Sequence, residues 1–183
     1  WWPLALHWSL DGEVPQLADL VVRPSSTDEV AAVVRACDIA RVPLTGTGGR
    51  GGVCGAALPV FGGVVLDATG LAGIVGVDDR SGVVQVRAGT FGPDLERELQ
   101  RDHGLSVGHF PQSFDLATVG GWVAARGAGQ YSTRYGKIET MVVGLEVVLA
   151  DGTVVVTGGA PAAAAGPDLT QLFLGSEGTL GII

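Results

Sequence analysis

The chain has 183 residues and a formal net charge of −8, with 11 lysines and arginines against 19 acidic residues. That length suits one domain or two small lobes around a real core, and the acidic balance excludes the basic footprint that nucleic acid requires. Mean hydropathy is +0.38, yet no uninterrupted apolar run reaches the roughly 18 residues of a membrane helix.

Residues 1–18 carry Trp1, Trp2 and Trp8 without a clear period and read as an arm. Leu20-Val21-Val22 predicts a short strand, stopped by Pro24. Ser26 with Glu29 three residues later is a capping-box start. The helix it opens runs to about Arg41, with Val30, Val33, Val34 and Cys37 on one face. A second short strand covers Val42 to Thr45 and completes a βαβ start.

The next stretch, Gly46 to Gly52, has five glycines in seven positions. Such residues free the backbone to take positive φ and to approach a ligand closely, and successive N–H groups there can converge on an anion. With so few cations in the chain, a bound diphosphate must be held mainly by main-chain amides, with Arg50 as a further donor. The residues Gly46-Thr47-Gly48-Gly49-Arg50-Gly51 fit G-x-G-x-x-G, and Asp67 follows about 20 residues later. The dinucleotide fold nevertheless needs a crossover helix before the next strand. Gly51, Gly52, Gly55, Pro59, Gly62 and Gly63 leave no room for one. A phosphate-binding Walker loop is excluded because no Lys-Ser or Lys-Thr follows the glycines. A glycine-rich hairpin without a ligand remains the bland alternative.

Strand-like runs follow at Val64–Asp67, Ile74–Val77 and Val83–Arg87, separated by turns such as Asp78-Asp79-Arg80-Ser81-Gly82. Thr90 is the expected cap of a helix over about Gly92–His103, ended by Gly104. A short helix over Thr118–Ala125 would leave the amides of Val119, Gly120 and Gly121 free at its start. A strand is predicted from Met141 to Leu149, turned by Asp151-Gly152 into Val154–Val156. An Ala/Gly/Pro loop spans Gly158–Gly166, and a short helix Asp168–Leu174. The pattern is α+β: a small βαβ lobe over about 19–70, then a larger, mostly antiparallel lobe with flanking helices over about 71–183.

The cysteines, Cys37 and Cys54, form neither a disulfide framework nor a metal pattern, and no metal site is expected. A reducing, cytoplasmic setting is the expectation, and no leader pattern is visible. His7, His103 and His109 lack the Ser or Asp partners of a nucleophilic constellation. No catalytic residue is assigned. The start at Trp1 and the end on Gly181-Ile182-Ile183 read as those of a fragment.

Four further segments matter as an ordered set. They are Gly108-His109-Phe110-Pro111-Gln112-Ser113, Thr118-Val119-Gly120-Gly121-Trp122, Tyr135-Gly136-Lys137-Ile138-Glu139 and Gly175-Ser176-Glu177-Gly178-Thr179-Leu180-Gly181. Following the Pro43 glycine loop, they resemble the FAD-binding domain of the vanillyl-alcohol oxidase/p-cresol methylhydroxylase flavoprotein family. The likeness covers about residues 19–183 and is greatest to the alkyldihydroxyacetonephosphate synthase branch. Trp122 favours that branch, because the 2-hydroxy-acid dehydrogenases usually carry Asn there.

The resemblance implies a p-cresol methylhydroxylase-type FAD-binding fold and a site. Pro43, Leu44, Thr45, Gly46, Thr47, Gly48 and Gly49 would wrap the FAD diphosphate. Gln112, Ser113, Phe114, Asp115, Leu116, Ala117 and Thr118, with Gly120 and Gly121, would line the flavin and its ribityl chain, as would Ala125, Arg126, Gly127 and Ala128. Tyr135 and Ile138 would pass along the cofactor. Glu177, Gly178, Thr179, Leu180, Gly181, Ile182 and Ile183 would contact the adenosine side. Arg50 stands where covalently flavinylated relatives carry a loop His, so the expected FAD is non-covalent.

Three functions are weighed. One is alkyl-for-acyl exchange at flavin N5, as in the synthase branch. The second is FAD-dependent oxidation of a D-lactate- or glycolate-type 2-hydroxy acid. The third is a non-catalytic nucleotide-binding module. A small-molecule substrate is the expected partner. A cap domain carrying the catalytic groups, contact with a membrane surface through it, and homodimerisation are what the resemblance adds beyond this chain.

Overall fold

The computed structural model describes residues 7–8, 10–13, 17–159 and 164–183. Parts of the expected arm and of the Gly158–Gly166 loop lie outside the described residues.

The first sheet has three parallel strands, β1 (Leu20–Val22), β2 (Leu44–Thr47) and β3 (Val64–Asp67), in the order β1-β3-β2. β3 is central and the most buried of the three, and its Leu66 is fully buried. Helix α1 (Thr27–Ala40) joins β1 to β2. Ser26 caps it, its hydroxyl accepting from the Glu29 amide at 3.3 Å. The return half of the expected capping box falls one residue earlier. Glu29 accepts from the Ser25 amide at 2.7 Å and the Ser25 hydroxyl at 3.0 Å. Val30, Ala31, Val34 and Cys37 are buried on one face, and Arg41 ends the helix in the left-handed region at φ 54°.

β2 and β3 pair in parallel, Thr47 opposite Asp67, yet residues 48–63 between them contain no helix. The glycine-rich composition predicts this. It separates the fold from a dinucleotide-binding βαβ unit.

The second half is built from two antiparallel hairpins. β4 (Ile74–Asp78) pairs with β5 (Val83–Val86), and β6 (Gly144–Val148) pairs with β7 (Val154–Gly158). Helix α2 (Gly92–His103) starts at Phe91 with no side-chain cap and ends at Gly104, φ 64°. Thr90 is therefore not the cap. Its hydroxyl donates to the Arg87 carbonyl at 2.7 Å and accepts from the Gly73 amide at 2.9 Å, tying the hairpin to the helix start. Short helices α3 (Val119–Ala124), α4 (Ser132–Tyr135) and α5 (Ile138–Met141) follow. The strand predicted from Met141 starts only at Gly144, because Ile138 is drawn into the core and keeps its turn helical. Helix α6 spans Thr170–Phe173, shorter than expected at both ends.

One core gathers Leu95, Leu99, Trp122, Val123, Ile138 and Leu174. The other gathers Val30, Ala31, Val34, Leu66 and Val148, with Ile182 packed against it. Each fully buried Leu there contributes about 2 kcal/mol of transfer free energy. Val148 exchanges two backbone bonds with Ile182, at 2.8 and 2.9 Å. The chain end and β6 thus both reach the face of α1, and Arg35 adds a bond to the Gly152 carbonyl at 3.0 Å.

Candidate functional site

The glycine loop leaves β2 beside the end of β3. A Cβ added at Gly49 would lie 1.9 Å from the Leu116 carbonyl oxygen, and one at Gly48 would lie 2.4 Å from the Thr118 hydroxyl. One at Gly46 would meet the Ile182 side chain at 2.8 Å. The missing side chains therefore let residues 46–49 lie directly on residues 116–118 and on the chain end. Three segments expected to serve one cofactor meet here.

Further along the loop the surroundings open. A Cβ on Gly51 would have the Ser113 Cβ, at 3.8 Å, as its nearest neighbour, and one on Gly52 would meet nothing within 4 Å. The amides of Gly49, Gly51 and Gly52 donate to no described residue. Segment 43–63 contains no carboxylate, and Arg50 is its one cation. Arg50 sits at φ 58°, with its guanidinium 3.4 Å from Asp67 Oδ2. Unpaired amides, open space and no nearby repelling acid within the segment fit an anionic group of diphosphate type.

The start of α3 is different from the expectation. The amides of Val119, Gly120 and Gly121 are all used. Val119 donates to the Thr90 carbonyl at 2.9 Å and Gly120 to the Ala88 carbonyl at 2.7 Å. Gly121 donates to the Thr118 hydroxyl at 3.3 Å. Thr118 is only 1% exposed. The partners of Val119 and Gly120 come from a segment about thirty residues earlier, so helix-start geometry alone could not show them.

Residues 125–128 form the turn after α3. The Gly175 amide bonds the Val123 carbonyl and the Glu177 amide the Ala124 carbonyl, both at 3.0 Å, which lays the 175–178 segment against this turn. Arg126, at φ 51°, donates to Gln171 at 3.2 Å and lies 3.7 Å from Glu139. Lys137 is 2.7 Å from the same carboxylate and, with Arg126 behind it, holds Glu139 below the usual carboxylate range. Both Arg126 and Glu177 are thus placed by protein contacts. Ile138 turns its side chain inward while its amide bonds the Gly127 carbonyl at 3.2 Å. Tyr135 is half-exposed. It lines a separate hollow of about 570 Å³ with Phe110, Tyr131 and Arg134, whose guanidinium lies over the Tyr135 ring at 5.3 Å.

His109 is fully buried and meets Trp122 edge-on, ring centroids 5.0 Å apart. Burial pushes its imidazole pKa down, against a smaller opposing pull from Glu139. Phe114 stacks on the same Trp122 ring, with centroids 5.8 Å apart. His109 therefore belongs to the packing behind the site. Among the described residues no cluster of three or more His, Cys, Asp or Glu side chains could hold a metal. No described helix is long and apolar enough to cross a membrane. What sequence reasoning missed was Asp67 as the partner of Arg50. Its signal was an acidic residue at the end of the strand paired with the loop-bearing one.

Residues 18–158, more than half of the chain, match a family model described as "FAD binding domain". The chain is 37% identical over 175 residues to "Alkyldihydroxyacetonephosphate synthase" of Dictyostelium discoideum, covering 94% of this chain and 28% of that protein. It is 37% identical over 181 residues to "Glycolate oxidase subunit GlcD" of Bacillus subtilis, covering 98% and 38%. It is 43% identical over 163 residues to "Uncharacterized FAD-linked oxidoreductase YgcU" of Escherichia coli, covering 87% and 33%. A solved structure of alkyldihydroxyacetonephosphate synthase superposes with a TM-score of 0.80 at 34% identity, over 88% of this chain and 29% of that one. The chain thus spans about a third of the length of these relatives. It has the α+β FAD-binding fold that the motifs imply, and it belongs to the FAD-binding domain family of flavin-dependent oxidoreductases.

Proposed function

We propose that this chain holds FAD without a covalent bond, for an enzyme whose chemistry is that of the alkyldihydroxyacetonephosphate synthase branch. The single observation that carries the branch is Trp122. It is 3% exposed and forms the centre of a packed group with Phe114 and His109, where the dehydrogenase pattern has Asn. The loop position that bears His in covalently flavinylated relatives is Arg50, and Arg50 is paired with Asp67. Bound FAD would supply chemistry at its N5 atom. This chain's own residues would grip the diphosphate through the Gly49, Gly51 and Gly52 amides and shape the flavin edge with residues 112–118. They would also keep water from the back of the site with Trp122 and Phe114. The substrate would be a small molecule, its acid–base partners supplied from outside this chain.

The second reading, oxidation of a 2-hydroxy acid, is favoured by the 37% identity to the glycolate oxidase subunit. Adding D-lactate or glycolate to the full-length protein without oxygen separates the two. The synthase reading predicts that the yellow colour persists, and bleaching by either acid would favour the dehydrogenase. Acid precipitation tests the cofactor linkage: the colour should stay in the supernatant, and a yellow pellet would show a covalent bond.

A further inference from the structure

We infer that Arg50 is a positioning residue, which fixes the glycine loop through Asp67 and does not itself contact the cofactor diphosphate. This rests on the FAD-binding reading and deepens it. Arg50 has a left-handed backbone, φ 58°, inside a run of glycines. That region is unfavourable for a residue bearing a Cβ, so its side chain must return something a glycine could not. What it returns is a contact to Asp67 Oδ2 at 3.4 Å. Asp67 is set in advance: its Oδ1 accepts from the Thr69 amide at 3.0 Å and the Thr69 hydroxyl at 2.7 Å, and its side chain is 12% exposed. Asp67 is also the register partner of Thr47, the last residue before the loop turns. The pair therefore ties the loop to the neighbouring strand at the point where the amides of Gly49, Gly51 and Gly52 diverge from the sheet.

The charges point the same way. Segments 43–63 and 110–125 together contain one Lys or Arg, Arg50 itself. Its charge is matched by Asp67, so the cradle presents amides and no net cation. Removing Arg50 would both release the loop and leave a bare carboxylate beside an anionic ligand. A direct phosphate contact predicts the opposite response at Asp67, because deleting that acid would free the guanidinium for the diphosphate.

The test is the dissociation constant of FAD for the full-length apoprotein, read by quenching of flavin fluorescence, for Arg50→Ala, Asp67→Asn and the double variant. Each single change should weaken FAD by about three- to tenfold, the range of a partly exposed pair that orders a loop. The double variant should be no weaker than the worse single one. The dependence of the constant on salt should be unchanged in the double variant, which loses one charge of each sign and no phosphate-contacting cation. Tighter binding by Asp67→Asn, or a shallower salt dependence in the double variant, would overturn the inference. Arg50 is nearly half-exposed, so variants at this position should fold, and the salt dependence of the double variant decides the matter if Asp67→Asn does not. A wild-type protein that takes up no FAD defeats the cofactor reading and this inference with it. Tighter binding by Asp67→Asn defeats the inference alone.

Discussion

Two glycine-rich turns in this chain look alike on paper and behave differently. The loop after β2 leaves the amides of Gly49, Gly51 and Gly52 without described acceptors. The turn into α3 spends the amides of Val119, Gly120 and Gly121 on Thr90, Ala88 and Thr118. In the second region glycine serves contact between segments, since a Cβ on Gly120 would lie 2.7 Å from the Ala88 Cβ. In the first it serves both contact, at Gly48 and Gly49, and openness, at Gly51 and Gly52. Glycine density alone does not distinguish a ligand cradle from a packing joint. The distinction lies in whether the N–H groups already have partners.

The largest effect is expected at the hinge of the two uses. Gly49→Ala drives a Cβ into a backbone carbonyl, which cannot swing aside as a side-chain end can. We expect a loss of about 3 kcal/mol and no retained FAD, seen in thermal melts and in the flavin spectrum. Gly120→Ala should cost about 2 kcal/mol through overpacking on Ala88. Its FAD affinity, measured on the folded fraction, should stay close to that of the wild type. Were affinity lost while stability held, the turn into α3 would be a ligand contact after all. Thr118→Ala removes the α3 cap and should cost about 1 kcal/mol, read by denaturant titration.

His109 gives a pH signature on the packing side. Burial holds its folded pKa below the ordinary 6.5, so the folded state favours the neutral ring. Stability is then full above pH 6.5 and declines as pH falls below it, levelling off under the folded pKa. Replacing His109 by Gln should flatten that decline, and an unchanged profile would remove His109 as its source. The smallest stability effect belongs to Gly52→Ala, which meets open space and should change stability by less than about 0.5 kcal/mol. Any weakening of FAD in that variant then reports the ligand itself.

The comparison also explains what could be read from residues alone. The β1-α1-β2 start and the helix-free 48–63 connection were legible because capping, apolar period and glycine content are local properties. The ordered motifs pointed to the family because each fixes a different segment. The fate of the α3 amides was not legible: Ala88 and Thr90 reach them only through the tertiary fold. Thr90 misled for the same reason, since its hydroxyl has a nearer acceptor at Arg87 and a distant donor at Gly73. The helical turn at Ile138–Met141 is a burial effect of Ile138, and it takes in Met141, the first residue of an apolar run, Met141–Val143, that reads equally well as strand.

Backbone hydrogen exchange, with and without FAD, tests the account most directly. The amides of Gly49, Gly51 and Gly52 should exchange quickly in the apoprotein and become protected on FAD binding, while those at 119–121 should be protected in both states. Fast exchange at 119–121 that slows only with FAD, with no gain at Gly49, Gly51 and Gly52, would contradict it.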